Sequence, residues 1–304
     1  MKKFTLPKKI DKHTVKKVSY SFGISLFRHL FLLLVGFVIL YPLLYMISNS
    51  IKSQDDFLNI ARIWLPAYWT MDRFKEVWEI AQFGPAFVKT LSIQIVSAAI
   101  EVIMCSFAGY GLARYNFKLK KFESVLLILL LLVPLQMYSL SLSVTYRNLG
   151  IFDTPFVYYL PSLFGVGVRG GMIIFIYRQF YEGLPKELEE AAFVDGAGPL
   201  KTYFKIALPS SGVVILTVSV LSFIWHWNEN YIADLCFMSD GRPLASVMSA
   251  LPTYLQMLGM FLGKPEYPAY VCAACVIYIA VPLVLYAIFQ RKFVRSIDRV
   301  GITG

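Results

Sequence analysis

Long apolar stretches separated by short polar connections run through the whole chain. Six approach membrane-crossing length: 27–47, 86–108, 122–142, 157–180, 210–232 and 269–289. About 20 consecutive apolar residues cross the hydrocarbon of a bilayer, and a helix satisfies its own backbone there. The pattern predicts an all-α polytopic membrane protein with six transmembrane helices. It divides into residues 1–28, a Lys-rich tail, then 29–84, a first span with an outside loop, and 85–304, the remaining five spans. No soluble-repeat period is visible.

Proline and glycine punctuate these stretches. Pro42 is expected to kink or stop the first span, and Gly84-Pro85 to open the second, which closes at Gly109-Tyr110-Gly111. The third carries Pro134 and Gln136 in its outer half, where a proline is tolerated if buried or facing a wet path, and a glycine-rich run, Gly165 to Gly171, opens the fourth. The fifth ends in Trp225–Tyr231 (WHWNENY). The loop 49–85 carries Trp64, Tyr68, Trp69, Phe74 and Trp78, an aromatic content that suits a membrane interface, with a short helix expected near 71–81. A second outside loop is expected at 233–268.

Composition agrees with this class: 57% of residues are hydrophobic, and mean hydropathy is +0.60. The net charge of +10 invites a nucleic-acid reading. Its distribution argues against one. Twenty of the 29 Lys and Arg fall in 1–28, 109–121, 178–209 and 290–304, all on one side of a six-span topology. The positive-inside rule then puts both termini in the cytoplasm. The basic start is long and the first apolar run has no small-residue cleavage site, so this helix is expected to remain as an anchor.

Cysteine and histidine add little chemistry. Cys272 and Cys275 form a C-x-x-C inside an apolar helix with no activating partner, and Cys105 and Cys236 stand apart. His13, His29 and His226 are scattered, so no metal site is expected.

The polar segment 184–209 stands out between two spans. Pro185 suits a first helical position, and Glu187, Glu189 and Glu190 fall where the helix dipole favours anions. Leu188, Ala191, Ala192 and Val194 give a narrow stripe fit for close packing, and Gly196-Ala197-Gly198-Pro199 stops the helix. A second helix, 200–207, leads to Leu208-Pro209. A lipid-surface helix would carry lysines opposite bulky apolar residues. This one is acidic and alanine-faced, which favours docking to a protein.

Here a family resemblance becomes specific. Glu190-Ala191-Ala192-x-x-Asp195-Gly196-Ala197, followed by Ile206-Ala207-Leu208-Pro209, resembles the EAA loop of bacterial ABC importer permeases. The likeness extends from about residue 85 to the end, through Tyr110-Gly111-Leu112-Ala113-Arg114, Pro134-x-Gln136, Leu184-Pro185-x-Glu187-Leu188, Trp227-Asn228 and Gln290-Arg291-Lys292-Phe293-Val294. Together these are similar to the carbohydrate-uptake, maltose-type branch, in particular its smaller permease chain. His226 and Glu229 stand where that family more usually has a small residue and an aspartate, and 238–268 is longer.

The resemblance implies a type I importer permease in a bacterial plasma membrane, its core in 85–304 and a cytoplasmic coupling loop at 184–209. It implies alternating access in a complex with a second permease subunit, a heterodimer being favoured. Two ATPase subunits and an extracellular solute-binding lipoprotein that delivers a sugar complete the complex. No G-x-x-x-x-G-K-[ST] run is present to cradle phosphates, so ATP and Mg are expected on the ATPase partner and this chain is not expected to be an enzyme. At the dock, Glu190 and Asp195 would make polar contacts, Ala191 and Ala192 would pack closely, and Gly196 and Ala197 would make the turn.

Weaker candidates lie within the spans. Glu101 and Arg169 are intramembrane charges at comparable depths, and such residues are functional suspects by default. They could form an ion pair, or Arg169 could line the substrate path and bind hydroxyls or a carboxylate. Gln136, Trp227, Asn228, Glu229 and Tyr231 suit a sugar, whose faces stack on aromatics while hydroxyls take hydrogen bonds. Met137 is a further path candidate; Trp225 reads better as an interface anchor. A secondary transporter would need paired mid-membrane acids and inverted repeats, and neither is visible. A peptide or amino-acid importer is the nearer rival within the same architecture.

Overall fold

The computed structural model describes residues 12–59, 62, 64–238 and 241–301, with side chains between 23 and 291. The described residues are almost entirely helical, with one isolated antiparallel bridge between Lys52 and Trp69. The lysines at 2–9 of the tail lie outside them.

Helix α1 (Lys12–Ser50) continues through Pro42, so the expected stop is not made. The apolar residues on both sides have no alternative to helix within hydrocarbon, and one lost donor does not outweigh that. Two short helices follow, α2 (Gln54–Leu58) and α3 (Asp72–Ile80). Helix α4 (Phe83–Arg114) exceeds expectation at both ends. Gly84-Pro85 lie in its first turn, where a missing N–H costs nothing, and it passes Gly109 and Gly111 to reach Arg114.

The expected third span is two helices, α5 (Lys120–Leu132) and α6 (Ser139–Asn148), joined through a 3-10 turn, Leu135–Met137. Pro134 is the cause: it drives Val133 to φ −81°, ψ 112°, which ends α5. The fourth is likewise broken into α7 (Phe156–Leu163) and α8 (Gly170–Gly183), with Gly165 at φ 70° and Arg169 at φ 59° between them. Then come α9 (Glu187–Val194), α10 (Pro199–Thr202), a π-helical turn (Tyr203–Ala207) and α11 (Leu208–Ser210). Helix α12 (Gly212–Trp227) departs from the 199–210 segment at 77°. The chain ends with α13 (Tyr231–Cys236), α14 (Leu244–Met257) and α15 (Tyr267–Gly301).

Three described helices are continuous, long and apolar enough to cross a membrane: 23–50, 83–114 and 267–291. The bent pair 199–210 with 212–227 would make a fourth. The interrupted third and fourth stretches do not qualify as single helices. Of these, α4 is the hub, with 44% of its most apolar stretch buried against none for α1.

Small residues set the packing, as expected where lipid removes the hydrophobic drive between helices and close contact must replace it. At Gly109 of α4 an added Cβ would lie 2.6 Å from Tyr177 Cβ and 3.0 Å from the Arg178 nitrogen. Helices α4 and α8 can therefore cross this closely only over glycine. One buried cluster joins α4 to α8 and the 203–207 turn. Another joins the start of α4 to α3, α12, α14 and α15, centred on Phe83, Trp227 and Leu251.

Candidate functional site

The hairpin 184–209 begins where Leu184 leaves the helical region at φ −72°, ψ 137°. Pro185 forbids the helical conformation there. Helix α9 closes with paired hydrogen bonds, Ala197 N–H to the Ala192 carbonyl at 2.9 Å and Gly196 N–H to the Phe193 carbonyl at 3.0 Å. Gly196, at φ 77°, sits in the left-handed position this ending requires. Nothing lies within 4 Å of a Cβ built there, so the demand for glycine is conformational rather than spatial. Gly198 and Pro199 then open α10.

The hairpin has two faces. Glu189 and Ala192, one turn apart, point inward with Thr202, Tyr203 and Ala207, all buried. The Arg114 Nε donates to Glu189 Oε1 at 2.8 Å, and its Nη2 donates to the Leu184 carbonyl at 2.7 Å. One guanidinium thus clamps both the end of α8 and the start of α9 to the last turn of α4. Glu190, Ala191, Asp195 and Pro209 are exposed, Ala197 and Leu208 half-buried. Leu188, Val194, Leu200 and Phe204 also lie bare on the outside. The expected alanine stripe is therefore split, with Ala191 outward and Ala192 packed within the chain.

Behind the hairpin, hydroxyls tie three elements together. The Ser106 hydroxyl of α4 lies 2.8 Å from Tyr181 Oη of α8 and accepts from Tyr203 Oη at 3.1 Å. Tyr181 Oη also reaches Ser211 Oγ, just before α12, at 3.2 Å. The Tyr110 ring packs against Tyr181 and Tyr203 at 5.3 and 5.1 Å between centroids. A rigid aromatic block thus joins the hairpin to α4, α8 and the foot of α12.

The second group of candidates lies at the helix breaks. Arg169 is exposed, its guanidinium 5.5 Å from the Trp225 ring centroid. Glu229 accepts the Ile232 N–H at 2.8 Å, and Tyr231 Oη meets Ser139 Oγ at 3.0 Å. Ser139 in turn donates to the Gln136 carbonyl at 3.0 Å. Gln136, Met137 and Asn228 are exposed. The breaks at Pro134, at 164–169 and after Trp227 are thereby brought to one polar layer.

Two expectations need correction. Glu101 does not pair with Arg169: its Oε2 accepts from Ser222 Oγ at 3.2 Å and lies 3.5 Å from His226 Nε2. All three of these side chains are fully buried, whereas the turn carries Arg169 outward onto Trp225. Trp227 does not line a path either. It is fully buried, its ring against Phe87 and Phe223 at 6.1 and 5.8 Å. Trp225 and Trp227, two positions apart on a helix, face different sides.

Sequence reasoning missed Glu189, Arg114 and His226 as partners. The spacing of Glu189 and Ala192 on one face, opposite an arginine ending the neighbouring span, was the available signal. Among the described residues no group of three His, Cys, Asp or Glu could hold a metal ion.

A family model described as binding-protein-dependent transport system inner membrane component matches residues 102–299. The probable ABC transporter permease protein YurM of Bacillus subtilis (strain 168) is 29% identical over 90% of this chain and 87% of its own length. The arabinooligosaccharides transport system permease protein AraQ of Halalkalibacterium halodurans is 28% identical over 89% and 93%. The alpha-glucoside transport system permease protein AglG of Rhizobium meliloti is 30% identical over 79% of this chain and 62% of its own. Among solved structures, a bacterial ABC transporter involved in the import of the acidic polysaccharide alginate contains a chain of the same fold. It has a TM-score of 0.73 and 18% identity, covering 94% of this chain and 99% of that one.

Proposed function

The chain belongs to the family of binding-protein-dependent transport system inner membrane components, and we propose that it imports a sugar or oligosaccharide as one of two unlike permease subunits. It is a multi-pass plasma-membrane permease of an ABC importer. In the proposed complex two ATPase subunits dock on the hairpin, and an extracellular binding protein delivers the substrate. In the proposed topology six spans keep both termini in the cytoplasm and the hairpin on the ATPase side, in keeping with the basic residues of 109–121 and 178–209.

The observation that carries this reading is the two-faced hairpin: bare apolar residues outside, and inside an Arg114 clamp that ties it to α4. Closure of the ATPase pair upon ATP pushes the outer face. The clamp and the tyrosine block pass that displacement to α4, α8 and α12 together, and the polar layer above them opens to the other side. Arg169, Gln136, Asn228, Glu229 and Tyr231 are the residues of that layer that meet the substrate. The sugar assignment is supported by relatives named for arabinooligosaccharides and alpha-glucosides and by the aromatic and amide character of 225–231.

The test is Gly196→Asp in the full complex, reconstituted in proteoliposomes with labelled oligosaccharide and the cognate binding protein. The variant should assemble and hydrolyse ATP while uptake is lost. Normal uptake would overturn the role of the hairpin, and ATP-driven uptake of peptides but not sugars would overturn the substrate class.

A further inference from the structure

The connection 164–169 holds a residue where it does not relax on its own. Arg169 has a side chain yet sits at φ 59°. That conformation is unfavourable for a non-glycine residue, and such strain persists only where the surroundings over-determine it. Those surroundings are polar and buried. Glu101 of α4, Ser162 of α7, and Ser222 and His226 of α12 are all fully buried. Glu101 Oε2 is engaged by Ser222 and approached by His226.

Its other oxygen has no hydrogen-bond partner and faces the turn. A Cβ on Gly167 would lie 2.5 Å from Glu101 Oε1 and 2.7 Å from Ser162 Oγ. One on Gly170, the first residue of α8, would lie 3.1 Å from the same oxygen and 2.2 Å from the Gly165 carbonyl oxygen. The carboxyl therefore fills the concavity of the turn and sits at the positive end of α8. If packing were all that is required, leucine would fill the space without the cost of burying a carboxyl group.

We propose that Glu101 and His226 are positioning residues for Arg169: they form a buried polar wedge that keeps the 165–170 turn in its strained form and so aims the guanidinium over Trp225. Helix α12 supplies Ser222 and His226 on one side and Trp225 on another, so the support and the aromatic platform move as one body. The proposal rests on the reading that Arg169 meets the substrate.

Two measurements test it in the reconstituted full complex. Uptake kinetics are taken for Glu101→Leu, Glu101→Gln and Gly167→Ala, each alone and with Arg169→Ala. Glu101→Leu and Gly167→Ala should raise KM about tenfold, a loss of roughly 1.4 kcal/mol in transition-state binding. The same changes should do little once Arg169 is alanine, and Glu101→Gln should retain near-normal KM. Equal effects in both backgrounds would overturn the proposal.

Independently, Arg169→Cys is labelled with an impermeant maleimide. Its rate should change severalfold with Glu101→Leu or Gly167→Ala and stay constant with Glu101→Gln. Constant rates throughout would overturn the proposal even if the complex assembles poorly. If Arg169→Ala leaves KM unchanged while labelling shifts, the substrate role of Arg169 fails and the positioning of the turn stands.

Discussion

Arg114 and Glu189 form an ion pair at 2.8 Å with side chains only 6% and 9% exposed, joining the last turn of α4 to the first turn of α9. The guanidinium also satisfies the Leu184 carbonyl, so its two edges serve two elements. Removing one member of such a buried pair typically costs 3–5 kcal/mol, because the other charge is left stranded.

Arg114→Ala should therefore release the hairpin from α4. In the reconstituted complex, ATP hydrolysis should stop responding to loaded binding protein and uptake should fall by an order of magnitude or more, about 1.4 kcal/mol per tenfold. Arg114→Lys should rescue only part, since an ammonium lacks the planar fork that reaches both acceptors. Wild-type coupling in Arg114→Ala would show that the clamp carries no displacement.

Gly109→Ala adds one carbon where Tyr177 Cβ would stand 2.6 Å away. Forcing extra volume into a packed contact costs typically 1–3 kcal/mol. Purified complex should melt several degrees lower, and Gly109→Val lower still. Gly111→Ala, with nothing within 4 Å of its Cβ, is the control that should not lower melting, since alanine is the better helix former there.

Trp227→Ala should cost about 3–5 kcal/mol of stability, as expected for emptying a core aromatic site. Its signature is loss of assembled complex with KM for the surviving fraction unchanged. A selective rise in KM without loss of yield would instead return Trp227 to the substrate path.

Asp56 lies outside the spans, in the short helix α2 that follows α1, and is buried. It accepts from the Ala67 N–H, Arg62 Nη1 and Ser53 Oγ, each at 3.0 Å. Burial alone would raise its pKa, but these hydrogen bonds outweigh that and hold it at about 2. The stabilisation is thus complete above the ordinary carboxylate pKa near 4 and is lost as pH falls towards 2. Hydrogen exchange of residues 51–70 should show wild type better protected than Asp56→Asn at pH 6, with the gap shrinking below pH 4. A gap independent of pH would mean the carboxylate charge is not what orders the loop.

The sequence made the hairpin legible because its signals are local. Pro185, the acidic first turn and Gly196 act through backbone geometry within a few residues, and the helix Glu187–Val194 follows from them. Pro134 marked a kink in the third span for the same reason, and the structure turns it into a full break after α5. What stayed hidden depends on which side of a helix meets which neighbour. Trp225 and Trp227 are adjacent on paper, yet one lies beneath Arg169 and the other in the core. Glu101 and Arg169 matched in depth, but depth does not fix azimuth. Glu101 proved to be hydrogen-bonded to Ser222, 121 positions away in sequence and one helix across, with His226 beside it.

Helix α1 buries none of its most apolar stretch within the chain, whereas α4 at Gly109 has no room for a methyl group. The two therefore answer to different masters: the apolar stretch of one faces mostly oil, while the other must fit its neighbours atom by atom. Sequence drift between cousins of this protein should accordingly pile up in α1, where Leu, Ile, Val and Phe are interchangeable tokens, and thin out along the Ser97–Gly109 stretch.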